Sequence, residues 1–418
     1  MDENKHRMNH DDERNIIDLS EALREKEIQE RKEEKARRKA EKPPILKRVL
    51  SFVLVAVIVF SCVMLTVYWD DLNFDAIRRS ISYIGAEQDE SGRTAQFEYQ
   101  RGNENAFEVL GNHLAFATNK GVSVYDYTGK LLFSQDILLE SPALDIGKNK
   151  AVAYDIGGSN LVVFDDKGMR LKLGNKDIAS IYSATMNGGD WLAVTSQKKS
   201  QKGCVTVYNA DMEKVFEFDS AARFITGAYV TEDCNYMVAH TMGQDNGVFK
   251  SEMVVYKLDR EEPYASFTME NSMVLSIGAI NGQTACVSDH SLLIAAPSGK
   301  VRATYEYEYP YLRDFSLDGD GFAALVLNRH RSGSSGKLVT INSSGEVIAA
   351  LDLTAEVLDI SAAGRYIAVL YTDELVIYNK DLTEYARFAQ HERGETACMR
   401  SDGSVWSIGI NKISLLIP

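Results

Sequence analysis

Residues 122–133 read VSVYDYTGKLLF. Two valines alternate with smaller and aromatic partners, a turn opens on Asp126 and reaches Gly129 three residues later, and a second apolar run follows. β-Branched and aromatic residues at period two suit a pleated, half-buried strand. Asp at the first turn position bonds back to the turn's own amides, and Gly at the fourth accepts the exit geometry. The segment reads as strand, tight turn, strand.

The same half-unit recurs along the chain. Strands like VSVY stand at 161–164 (LVVF), 205–208 (VTVY), 253–256 (MVVY), 292–295 (LLIA), 338–341 (LVTI), 375–378 (LVIY) and 413–416 (ISLL). The turn recurs as DDKG from Asp165 and NSSG from Asn342. Before each of these third strands (C) come an inner strand (A) and a small, apolar strand (B); a more polar strand (D) follows. The A strands begin near Phe107, Ala143, Ile181, Phe224, Val274, Leu312, Val357 and Thr396, at intervals of 36 to 50 residues. A four-stranded period near 40 residues predicts β-propeller blades, which must stack around an axis to bury their faces. Eight A, B and C strands are present but only seven D strands follow them. The unclaimed segment TAQFEYQ (94–100) resembles the D strand ATYEYEY (303–309) and supplies the eighth. The expectation is an all-β, eight-bladed propeller over residues 94–418, closed by this N-terminal outer strand. Seven blades is the alternative if the repeat near Met273–Lys300 is misread.

Outside the repeats, charge decides the reading. The 418 residues carry a net charge of -14, which disfavours nucleic acid as a partner because displacing counterions needs cationic surface. Residues 1–30 hold five basic and ten acidic side chains; residues 31–48 hold nine basic and three acidic ones. The 21 residues Val49–Trp69 carry no charge, and Lys47 and Arg48 precede them while Asp70 and Asp71 follow. Such a run is long enough to cross a bilayer as a helix, and the flanking cations place the N-terminus in the cytoplasm. A cleaved signal peptide would be shorter and nearer the start of the chain. The expected layout is a charged cytoplasmic tail (1–48), a transmembrane helix (49–69), a juxtamembrane amphipathic helix and linker (70–93), and an extracytoplasmic propeller. In the stretch DLNFDAIRRSISYI (71–84), Ile77, Ile81 and Ile84 make one helical face, and a short polar linker follows.

A single-pass anchor, this amphipathic stretch and a closed propeller together resemble an uncharacterised family of membrane proteins from clostridial-type Gram-positive bacteria. The resemblance implies a bacterial plasma-membrane location and no known activity. The blade turn VYDYTGKLLF (124–133) is also similar to repeats of quinoprotein-type and WD-type propellers. Quinoprotein outer strands carry a docking Trp where this chain has Phe133, and Trp191 and Trp406 fall in B strands.

No catalytic signature emerges. His113, His240, His290, His330 and His391 come from different blades at irregular spacing. LDGDG (317–321) starts like a calcium loop but lacks the later acidic ligands. Cys204, Cys234, Cys286 and Cys398 match no metal or disulfide pattern and read as buried thiols. No cofactor or metal is expected. The reading is a non-catalytic binding or scaffold module of the cell envelope, with an extracytoplasmic propeller enzyme, quinoprotein-like or glycan-active, as the alternative.

Strand direction places the B–C and D–A connections on one face of the ring, and the A–B and C–D turns on the other. The long B–C connections are Ser196–Gly203, Thr241–Glu252 and Asn328–Gly336. They gather Lys198, Lys199, Lys202, Arg329, His330 and Arg331, and the blade five to six connection adds Tyr309 and Tyr311. Cations beside aromatic rings suit an anionic wall polymer or another envelope protein.

Overall fold

The computed structural model describes residues 23–35, 45–67, 79, 83, 89, 92–94, 96–245, 248–331, 333–389 and 394–418. Two compact units divide the chain after Phe74. In the first, residues 23–35 are helical and exposed, and a second helix spans Ile45–Val67. The expected membrane crossing is not met there: among the described residues no helix is long and apolar enough to cross a membrane. The helix does form over the uncharged run as far as Val67, and its side chains from Val49 to Ser61 are exposed. Most of the stretch 70–93, including Ile77, Ile81 and Ile84, lies outside the described residues.

The second unit is a ring of eight four-stranded antiparallel sheets. Blades one to seven cover residues 105–136, 142–173, 181–220, 224–270, 274–306, 311–353 and 357–389, each running in chain order from the inner to the outer strand. Blade eight takes its three inner strands from 394–416 and its outer strand, Phe97–Glu98, from the N-terminal side. Phe97 pairs with Ile413 and Glu98 with Lys412. Closure by the segment 94–100 is therefore observed, with a strand shorter than expected, and the seven-bladed alternative falls. Around the short pairing, Thr94 N–H donates to Leu415 O (2.9 Å) and Ile417 N–H to Gly92 O (2.9 Å). Phe97 stacks on Tyr125 of blade one (5.3 Å) and meets Trp406 of blade eight edge-on (6.2 Å).

The turns behave as their residues require. Asp126 Oδ1 accepts from the Thr128 and Lys130 amides at 2.9 and 3.0 Å, and Gly129 takes φ +80°. A Cβ at Gly129 would also strike the Phe97 ring at 2.7 Å, so this glycine fits both the turn and the closing strand. Asp165 and Asn342 cap their own turns in the same way.

The B and C strands are almost wholly buried, and their apolar side chains form eight clusters, one at each seam between neighbouring blades. Side chains on the inner strands also staple blade to blade. The Met186 amide donates to Asp145 Oδ2 (2.7 Å), that of Ile360 to Asp314 Oδ2 (3.0 Å), and that of Ala397 to Asp359 Oδ2 (2.7 Å). Ser316 and Ser361 accept from Ala362 and Met399 at 3.1 and 2.9 Å. Phe133 fills the position of a docking Trp by stacking on Phe164 of the next blade at 5.8 Å. Trp406 does lie in a B strand, whereas Trp191 immediately precedes one.

Arg79 and Tyr83 belong to the ring's unit and are buried. Arg79 donates to Asp402 O (2.7 Å) and to Tyr385 Oη (2.6 Å). Tyr83 Oη donates to Asp402 Oδ2 (3.0 Å), lies 3.1 Å from Ser404 Oγ and takes a hydrogen bond from Arg400. Its ring meets Tyr127 edge-on at 5.4 Å. Asp402 and Ser404 lie around the A–B turn of blade eight, Tyr127 in the C–D turn of blade one. Arg79 and Tyr83 thus clamp onto the short-turn face.

Candidate functional site

The opposite face carries the candidate site. In blades three to eight a β-bulge interrupts the pairing of the A strand with its B strand at the second residue, or the third in blades four and six. A bulge adds one unpaired residue and re-aims its side chain. The bulged residues are Tyr182, Thr226, Leu275, Arg313, Leu358 and Glu395, and all but Leu358 are exposed. They stand where the chain enters each A strand, on the loop face. Blades three and five present apolar side chains there and blades six and eight charged ones, so the face is unequal around its circumference.

The apolar sector opens into a groove of about 960 Å³ between blades two, three and four. Ile156, Tyr182, Lys202, Arg223, Phe224 and Met242 line it. Three of these are large apolar side chains left in water: Ile156 at 52%, Tyr182 at 37% and Phe224 at 57% exposure. Each is held in place. Ile156 N–H donates to Ser141 O (2.9 Å), and Gly157 and Gly158 exchange 2.7 Å hydrogen bonds with Ile181, so the turn after the B strand of blade two is tied to blade three. Tyr182 is turned out by its bulge. Phe224 opens the A strand of blade four, where its partner Met242 belongs to a hairpin that runs on to the pair Asp245–Val248 and walls one side.

Charge rims the groove. Lys202 Nζ sits 5.3 Å from the Phe224 ring centre and donates to Ala222 O at 2.8 Å. Arg223 pairs with Glu252 at 3.1 Å. Among the described residues no carboxylate pairs with Lys202 or with its neighbour Lys199. Lys198 differs: Glu217 and Asp219 hold its ammonium at 2.6 and 2.7 Å, which raises its pKa and cancels its charge toward a partner. Cys204, Glu217 and Asp219 also lie close enough together to suggest a metal group, but the Lys198 ammonium sits on the two carboxylates.

The expected cationic set therefore divides. Lys199 and Lys202 belong with blade three. Tyr309 and Arg329 meet between blades five and six: Arg329 Nη2 donates to Tyr309 Oη (2.9 Å) with its guanidinium 5.0 Å from the ring centre, and Lys337 approaches the same ring at 5.2 Å. Tyr311, His330 and Arg331 are exposed beside them. The connection expected at Thr241–Glu252 is mostly hairpin strand.

A second cavity, about 650 Å³, is the central channel. Glu108, Asp145 and Asp318 line it. Burial pushes Asp145 up to about 7, with Asp318's charge adding to the effect and the Met186 amide opposing it. Asp359, further round the ring, is pushed up to about 6 by burial and by Asp314. Asp145 and Asp359 already serve as inter-blade staples. Asp318 is exposed to solvent in LDGDG, which ends the A strand of blade six and makes its turn into the B strand.

The other candidates separate as well. His240 is buried, bonded through Nδ1 to Thr226 Oγ1 (2.6 Å), and held neutral with its pKa near 4 by desolvation. His290 pairs with Asp289 and His113 lies 3.9 Å from Asp166; His391 is outside the described residues. Cys204, Cys286 and Cys398 are buried free thiols; Cys234 is half-buried.

The fold is widely shared. The C-terminal WD40 domain of Sif2 is 13% identical, with 77% of this chain and 97% of that one covered and a TM-score of 0.54. BamB from Moraxella catarrhalis is 12% identical over 77% and 96%, at a TM-score of 0.49. The dihydro-heme d1 dehydrogenase NirN, in complex with DHE, is 14% identical over 73% and 74%, also at 0.49. At these identities the likeness speaks to the fold alone. No curated protein matches the sequence. Residues 88–400, nearly the whole ring, match a single family, and the chain belongs to it: the family of unknown function DUF5711.

Proposed function

We propose that this protein is a non-catalytic binding module, tethered to the bacterial plasma membrane, that engages a partner through the loop-face groove of blades two to four. One observation carries the reading: Ile156, Tyr182 and Phe224 stand in water around one groove, each fixed by backbone hydrogen bonds, by a bulge or by strand pairing. Large apolar side chains gain about 1.5–3 kcal/mol each on full burial, so a half-exposed set of three favours a covering partner by a few kcal/mol. The tether rests on the sequence: the uncharged run Val49–Trp69 has cations before it and carboxylates after it. Arg79 and Tyr83 grip the short-turn face, opposite the groove.

Two readouts on intact cells test this. A photo-crosslinking amino acid at Tyr182 of the full chain should give a discrete adduct with one partner, and Phe224→Ser should abolish it. Lys202→Cys should react with a membrane-impermeant thiol reagent before lysis. Loss of the adduct from wild-type cells refutes the binding role; labelling only after lysis refutes the location.

A further inference from the structure

We infer that the groove takes a segment of a partner protein that presents an apolar side chain to Phe224 and Tyr182 and a carboxylate to Lys202. The inference rests on the binding role proposed above and names the class of partner.

The lining sets the class. A glycan or wall polymer would meet a predominantly polar surface with rings beside hydrogen-bonding groups. Here Ile156, Phe224 and Met242 offer aliphatic and aromatic surface and no hydrogen bond. Fixed apolar anchor points of this kind fit the side chains of a peptide segment. The exposed apolar set continues beyond the groove: Leu138 at the entry to blade two, Met273 and Leu275 at the entry to blade five. These positions follow the channel mouth through adjacent blades rather than converge on the channel. An extended segment laid along that arc would meet them in turn.

Charge complementarity supplies the second element. Of the cations at the groove, Arg223 is matched by Glu252. Among the described residues Lys202 has only a carbonyl and the Phe224 face, and Lys199 stands exposed nearby. On a ring unit that is strongly acidic as a whole, this local excess of positive charge selects an acidic segment and repels a basic one. Against a lipid surface the same sector is too narrow, because the face turns charged at Arg313 and Glu395 on the far side.

The test uses the purified full chain and a phage-displayed library of random twelve-residue peptides, selected on wild type and counter-selected on the Phe224→Ser/Lys202→Glu double variant. Peptides that survive are expected to combine an aromatic or branched aliphatic residue with Asp or Glu close by. In a chosen peptide, Phe224→Ser should weaken binding about tenfold, and Lys202→Glu similarly. Lys202→Glu should recover binding to the peptide whose acidic residue is changed to Lys. Tyr182→Ser serves in place of Phe224→Ser if that variant loses its melting transition. No enrichment over the double variant, enrichment of basic peptides, or failure of the charge swap overturns the inference. So does a Phe224-dependent self-association of the full chain, or a Phe224-dependent binding to phosphatidylglycerol vesicles, since either names another occupant. A Tyr182 adduct in cells without peptide selection leaves the binding role standing and removes only the partner class.

Discussion

Replacing Tyr83 by Ala should loosen the ring at its closing seam. Tyr83 is 7% exposed, packs in the cluster between blades eight and one, and hydrogen-bonds Asp402, Ser404 and Arg400. Removing a buried aromatic side chain costs about 3–5 kcal/mol. Arg400 and Asp402 are 4% and 6% exposed and lose a shared partner, which keeps the cost at the upper end. At about 2.1 cal/mol/K per residue, the roughly 340 residues of the ring unit unfold with about 0.7 kcal/mol/K. The midpoint should therefore fall by about 4–7 °C if the ring unfolds as one unit. Tyr83→Phe keeps the ring and loses only the hydroxyl, so it should show about a third of the effect. Differential scanning calorimetry of the full chain reads both, with Tyr264→Ala, half-exposed on the outer strand of blade four, as the control. A Tyr83→Ala midpoint within 1 °C of wild type would show that the clamp adds nothing to ring stability.

Other outcomes follow from the same contacts. Phe97→Ala should lower the midpoint by several degrees by opening the stack between Trp406 and Tyr125, whereas Gln96→Ala, exposed beside it, should not; equal midpoints would count against closure by this strand. Asp145 keeps its proton in the fold up to about pH 7, well above the unfolded value near 4, so the stability it contributes is present below pH 4 and is lost as pH rises through 7. That difference corresponds to about 4 kcal/mol at most, and solvent reaching the channel reduces this to about 1–2 kcal/mol. Asp145→Asn should accordingly gain about 2 °C over wild type between pH 5 and pH 8, and a constant difference would contradict it. Lys198→Ala should shift the midpoint by about 1 °C or less and leave peptide binding unchanged, because that cation is already matched by Glu217 and Asp219. Charge reversal at Arg329 and Arg331 with Tyr309→Ala and Tyr311→Ala should leave the Tyr182 adduct intact; its loss would move the binding surface to blades five and six.

The blades were legible because strand period and turn chemistry are local. VSVY, DYTG and their repeats each carry their own instruction, and the eight C strands lie where the pattern places them. Closure was legible from counting: an outer strand was missing at one end and spare at the other. The groove was not legible. Alternation assigns every second residue of a strand to one face, and a bulge at the second residue of an A strand resets that phase, so Tyr182 and Leu275 emerge against the pattern. The pairing of Lys198 was hidden for a related reason. Its partners Glu217 and Asp219 sit on the next strand but one, and only the cross-strand register brings them beneath the loop. Phe224 offered one usable signal, a bulky aromatic directly after Ala222 and Arg223 at a D–A crossing, where a chain exposed to water alone has no use for it. Tyr83 offered none, since the contact that buries it comes from residues more than 300 positions away.

The central claim is that the apolar sector of the loop face is where a partner sits. It is tested most directly by placing the same photo-crosslinker, one position at a time, at Tyr182, Leu275, Arg313 and Glu395 around the loop face, and at Met169 and Val215 on outer strands. After irradiation of intact cells, one adduct of constant size should form from Tyr182 and Leu275 and from none of the other four positions. Equal adducts from all six positions, or adducts confined to Arg313 and Glu395, would contradict the account.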